Sequence, residues 1–184
     1  MESNPWIVKG EKLCYNNSWI SVTEYAVLNP SGNEGIYGKV HFKNTAVGVM
    51  ALDGDMNTYL VGQYRFVLNR YSWEIPEGGV PEGEDPLEGA KRELLEETGL
   101  RAANWALLLQ MHLSNSVSDE LAIVYLATDL TQHEAEPEET EQLLIRKLPF
   151  AEAYQMAEEG TITDSISVAA LTKIKLLLAE GKLK

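Results

Sequence analysis

Residues 85–99 constrain this chain more than any other stretch. Asp85 is a natural N-cap, Pro86 fits the first helical position, where no N–H is needed, and Gly99 supplies a C-terminal stop. Between them Leu87, Ala90 and Leu94 form an apolar stripe at helical spacing. Glu93, Glu96 and Glu97 fall on another face of the same helix. Like charges so spaced oppose the helix by roughly a few tenths of a kcal/mol per pair. A hard divalent cation relieves that repulsion, because such ions take oxygen ligands. The helix therefore offers one face to a core and one to a metal. Gly78, Gly79 and Gly83 precede it, giving a backbone free to turn tightly and expose its carbonyls.

The flanking sequence predicts strands on both sides of this helix. Short strands are expected at residues 6–8, 12–15, 19–28 and 36–42, with the Pro30-Ser31-Gly32-Asn33 turn between the last two. Segments 45–52 and 58–64 flank Asp53-Gly54-Asp55, a hairpin signal, and 72–75 leads into the glycines. Beyond the helix, 105–111, 121–127 and 143–148 read as strands, and 149–159 and 164–180 as helices closed by Gly160 and Gly181. Strands, helix, strands, helices is the order of an α+β domain whose mixed sheet lies between helices.

Charge and composition exclude several classes. The net charge is −13, from 15 basic and 28 acidic residues, which opposes non-specific nucleic-acid binding and anionic membrane surfaces. Bound metal ions would reverse the local field for an anionic substrate. Cys14 is the only cysteine, so no intramolecular disulfide forms. The first residues lack a signal-peptide pattern and no apolar run has transmembrane length, so a cytoplasmic protein is expected. His41, His112 and His133 have no metal-ligand spacing, and there is no P-loop lysine or Rossmann glycine set.

Gly78, five residues, Glu84, seven residues, then Arg92-Glu93-Leu94-Leu95-Glu96-Glu97-Thr98-Gly99-Leu100 resembles the Nudix box. That box marks hydrolases cleaving a nucleoside diphosphate linked to another moiety. Gln63-Tyr64-Arg65 and Trp73-Glu74-Ile75-Pro76-Glu77-Gly78 resemble the ADP-ribose pyrophosphatase and nucleoside-diphosphate-sugar branch. The resemblance implies a Nudix α/β/α sandwich over residues 44–184. It implies an N-terminal β extension over 1–43 that builds a homodimer. It also implies Mg²⁺, with Mn²⁺ as a substitute, bound by Glu93, Glu96, Glu97 and the carbonyl of Glu77. Glu84 and Arg92 would pair to hold loop to helix, with Gly78 and Gly99 structural.

In that branch a glutamate from a late loop orients or deprotonates the attacking water. The run 134–141 holds five glutamates, of which Glu141 is the first choice, then Glu138 and Glu139, with Glu96 as a box candidate. Arg65, Glu74 and Ser116 are the expected substrate contacts. The loop Leu113–Glu120 lacks the proline common in members specific for ADP-ribose, which leaves an ADP- or GDP-linked sugar open. The expected reaction is Mg²⁺-dependent hydrolysis of a nucleoside diphosphate sugar, most simply ADP-ribose. A hydrolase of dinucleoside polyphosphates or coenzyme A, or a non-catalytic nucleotide sensor, is the alternative.

Overall fold

A computed structural model of the protein describes residues 3–134 and 143–183. In chain order the elements are β1 (Ile7–Asn16), β2 (Ile20–Leu28), β3 (Glu34–Phe42), β4 (Asn44–Ala51), β5 (Asn57–Arg65), β6 (Arg70–Glu74), β7 (Glu77–Pro81), α1 (Pro86–Thr98), β8 (Leu100–His112), β9 (Leu121–Gln132), β10 (Leu144–Pro149), α2 (Phe150–Glu158) and α3 (Ser165–Ala179).

β4 sits at the centre because both its faces are apolar. Val47, Val49 and Ala51 pack with Val80, Ala90, Leu94, Leu100 and Ala127 on the α1 side. Met50 turns the other way, into a cluster with Ile75, Val124, Ile166, Leu171 and Ile174 under α2 and α3. Alternation along a strand delivers one set of side chains to each layer. The sheet runs β7-β4-β9-β8, with β4 and β9 parallel and the other neighbours antiparallel. This is a mixed sheet between helices, as the order of elements predicts. A second sheet, β10-β5-β6, is antiparallel throughout.

The N-terminal strands form a separate antiparallel sheet, β1-β2-β3. The two short strands expected at 6–8 and 12–15 are one strand, β1, which stays paired with β2 through register shifts at Val8/Gly10 and Leu13/Tyr15. The large apolar side chains of β1 are in solvent, Leu13 at 61% exposure, as are Trp19 in the β1–β2 turn and Ile36 on β3, at 68% and 73%. Residues 77–81 also differ from expectation. The glycines Gly78 and Gly79 lie in a strand that pairs with β4, from Asn44 opposite Pro81 to Gly48 opposite Glu77. No helix among the described residues is long and apolar enough to cross a membrane.

The β4–β5 turn is organised by one acid. Asp53 accepts from the amides of Asp55 (3.0 Å) and Asn57 (2.8 Å) and pairs with Lys147 on β10 (2.7 Å). Burial alone would raise its pKa; the bonds from Lys147, Asn57 and Asp55 outweigh that and hold it at about 2, below the ordinary 3.8. A depressed folded-state value stabilises the fold above the unfolded value, and that stability is lost as pH falls through the folded one. We expect the unfolding free energy of the wild type to drop between about pH 4 and pH 2 more steeply than that of Asp53→Asn, measured by urea denaturation. Parallel profiles would contradict this role.

Candidate active site

The acidic helix is capped as its sequence predicts. Asp85 accepts from the Leu87 amide at 2.9 Å, and Gly99 takes a left-handed conformation (φ 69°) while its amide bonds the Leu95 carbonyl. Ala90 and Leu94 are buried, which fixes the rotation of α1 on β7 and β4. That rotation directs Glu97 inward. Its carboxylate, 3% exposed, accepts from the backbone amide of Glu77 at 3.0 Å. A buried carboxylate needs such donors, because an unpaired one costs far more than it returns.

Glu93 reaches the same strand one residue further on. A Cβ at Gly78 would overlap the Glu93 carboxyl carbon, so only glycine lets this carboxylate approach the β7 backbone. Arg92 lies between the acids, with Nη1 at 2.9 Å from both Glu93 and Glu96. Its Nη2 points to the Gly79 carbonyl at 3.5 Å, and Glu84 stands 4.0 Å from its Nε. The expected Glu84–Arg92 pair is thus the longest of this arginine's ion pairs, and the shorter ones go to the box acids.

β7 begins inside a second group of charges. Arg65 at the end of β5 is gripped by Glu74, which accepts at Nε from 2.9 Å and also at Nη2, and by Glu77 at 2.6 Å. Glu74 is 3% exposed. Burial would lower the pKa of Arg65, but Glu74, Glu77 and Asp164 hold it above the ordinary value. Glu77 is pushed well above the usual carboxylate range, first by burial and then by Asp164 and Glu74, with Arg65 offsetting only part. Among the described residues no hydrogen-bond donor meets its buried Oε2. Asp164, the N-cap of α3, brings its charge here from the far end of the chain.

Arg65, Glu74, Glu77 and Gly78 line a cleft of about 730 Å³, with Trp19 and Phe66 on its apolar side. Of the expected substrate contacts, Arg65 and Glu74 stand in this cleft. Ser116 does not; it lines a separate groove of about 380 Å³ against the N-terminal sheet, where its carbonyl accepts from Tyr37 Oη at 2.8 Å. Glu138, Glu139 and Glu141 lie outside the described residues, while Glu134 is exposed. Glu120 and Asp164, which also line the cleft, were not singled out by sequence. Asp164 carried only the signal of a helix start, and its approach to Glu77 is purely tertiary.

The donor set suits a hard cation. Glu93, Glu96 and Glu97 offer carboxylate oxygens, β7 offers backbone carbonyls, and the nearby Glu77 Oε2 meets no donor among the described residues. Among the described residues no three acidic, histidine or cysteine side chains already converge at ligating distance. Arg92 supplies the positive charge between Glu93 and Glu96.

Arg65 bridges the buried Glu74 and the largely buried Glu77. Arg65→Met leaves Glu74 and Glu77 uncompensated, and a broken buried pair costs about 3–5 kcal/mol. Arg65 is itself partly exposed, so we expect a loss at the low end, about 3 kcal/mol, by urea denaturation. A loss under about 1 kcal/mol would contradict the clamp.

Comparison with known proteins identifies the family and the fold. The family model of the NUDIX domain matches residues 42–169. A Mycobacterium tuberculosis protein named ADP-ribose pyrophosphatase is 38% identical over 133 residues, covering 70% of this chain and 64% of that protein. The chain thus spans just under two thirds of that relative's length. A Bacillus subtilis protein of the same name is 30% identical over 133 residues, covering 71% of this chain and 72% of its own. A crystal structure described as an ADP compounds hydrolase superposes over all of both chains with a TM-score of 0.86 at 20% identity, a likeness of fold that includes the N-terminal sheet. Box, sandwich and relatives agree: the chain belongs to the Nudix hydrolase family.

Proposed function

We propose that this chain is a Mg²⁺-dependent pyrophosphohydrolase of a nucleoside diphosphate sugar, ADP-ribose in the first instance. The products are a nucleoside monophosphate and a sugar phosphate. The observation that carries the reading is the acidic face of α1 held against β7 by the Glu97 bond to the Glu77 amide. Two relatives named ADP-ribose pyrophosphatase favour the same substrate.

A pyrophosphate resists attack because its oxygens are anionic, so catalysis requires charge neutralisation and a placed water. Glu93, Glu96, Glu97 and the carbonyl of Glu77 would hold the divalent ion, which supplies charge neutralisation and a more acidic water. Arg65 keeps Nη1 for a substrate phosphate while Glu74 and Glu77 fix its other edge. Trp19 and Phe66 give the cleft an apolar side for the flat part of the substrate. A glutamate from 134–141, Glu141 first and Glu138 or Glu139 next, takes the proton of the attacking water. The bond from the bridging oxygen to the attacked phosphorus breaks, and the leaving phosphate keeps its electron pair.

We further propose that residues 1–43 form a dimerisation module and 44–184 the catalytic domain. The N-terminal sheet and its flanking turns carry exposed Trp6, Ile7, Leu13, Tyr15, Trp19 and Ile36, and large exposed apolar side chains gathered in one region favour association. Closed twofold pairs are the commonest assemblies. Light scattering at micromolar protein is expected to give twice the chain mass, and a monomer mass would refute the module.

Hydrolysis should be screened by phosphate release from nucleotide sugars, coupled to a phosphatase, with and without Mg²⁺. Glu97→Gln is expected to lower kcat at least about a hundredfold, on the scale of one preorganised electrostatic group. Near-normal turnover in that variant would sink the assignment.

A further inference from the structure

The loop between β8 and β9, residues 113–120, stands between the two hollows of the molecule. Its middle, Asn115–Ser118, lines the groove on the N-terminal sheet, whereas its ends, Leu113 and Glu120, line the cleft that holds Arg65 and Glu77. The loop closes on itself through Val117 and Ser118 amides donating to the Ser114 carbonyl (3.0 and 2.8 Å) and Leu113 N donating to Glu120 O (3.2 Å). It then lies along the outer edge of β3. Val40 N donates to Val117 O at 2.8 Å, Asp119 N to Val40 O at 3.2 Å, and Val40 and Ser118 form a parallel bridge.

One side chain joins these parts. Asp119 accepts from Lys39 Nζ at 2.7 Å, His41 Nδ1 at 2.8 Å and the Phe42 amide at 3.0 Å, all from β3. Charge-assisted bonds of this kind are roughly twice as strong as neutral ones. The next residue is Glu120, in the cleft wall. Carboxylate and wall residue are therefore separated by one peptide unit.

We propose that Asp119 is a positioning residue, pinned by Lys39, His41 and the Phe42 amide so that the N-terminal sheet sets the place of Glu120 in the cleft. The proposal rests on reading that cleft as the catalytic site. It gives the N-terminal sheet a function in the reaction beyond association: the sheet's outer strand is the anchor for one wall of the substrate cleft. A displacement of about 1 Å in such a wall is enough to cost up to a hundredfold in rate.

The test combines hydrogen exchange with kinetics on the full chain. Asp119→Ala is expected to speed exchange of the Val40, Val117 and Ser118 amides at least about tenfold while the α1 amide of Leu94 is unchanged. It should lower kcat/KM for ADP-ribose by about tenfold or more. Asp119→Asn, which keeps the Phe42 bond and loses the ion pairs, should fall between, and guards against a variant that merely fails to fold. If Asp119 acts through Glu120, Asp119→Ala adds no more than about twofold in a Glu120→Gln background. Unchanged exchange in the loop would overturn the pin, and multiplicative kinetic effects would overturn its action through Glu120. A wild type that hydrolyses no nucleotide sugar, with exchange altered as expected, would overturn the reading of the cleft and leave the anchor standing.

Discussion

A carboxylate driven into a protein interior raises the free energy of the fold unless hydrogen-bond donors meet it, and the site depends on how that requirement is met at Glu97. The donor is the amide of Glu77, the first residue of β7. The bond joins the helix that carries the acids to the strand that carries the backbone carbonyls. It fixes their separation independently of the loop between them. Leu94 and Ala90 set the rotation of the helix from the core side, and Gly78 admits Glu93 from the strand side. Three different constraints thus hold one face of one helix in place.

Around this contact the balance of charge is negative. Glu74, Glu77, Glu97 and Asp164 gather where Arg65 is the central cation, and Arg92 lies between Glu93 and Glu96. An excess of buried acid is destabilising in a purely structural setting, since each charge must be paired or neutralised. It is well suited to a divalent ion, whose own charge dominates the local field. Much of the surplus is therefore located where an oxygen-binding cation would relieve it. The overall charge of −13 does not prevent binding of an anionic substrate on these terms.

The helix was legible in the sequence because every signal for it is local: the Asp85 cap, the Leu87–Ala90–Leu94 stripe and the Gly99 stop lie within one window. The mixed sheet between helices was legible from the order of elements. What local pattern misled was β7, because Gly78 and Gly79 signal a loop, yet here glycine serves close approach to Glu93 and Asn44 within a paired strand. β1 likewise is one strand, paired with β2 through its register shifts, where two short strands are expected. The Arg65–Glu74–Glu77 clamp and the arrival of Asp164 were out of reach, since they require β5, β6, β7 and α3 to meet in space. Ser116 lies in a polar loop whose middle faces the N-terminal sheet and whose ends, Leu113 and Glu120, face the cleft, a division that composition does not reveal.

The central claim is that the acidic face of α1 and the start of β7 form one cation site. Anomalous diffraction from crystals soaked in Mn²⁺ tests it directly. The account predicts a peak within about 2.5 Å of carboxylate oxygens from at least two of Glu93, Glu96 and Glu97, with the Glu77 carbonyl at similar range. A peak bound elsewhere, or none at concentrations that support hydrolysis, would contradict it.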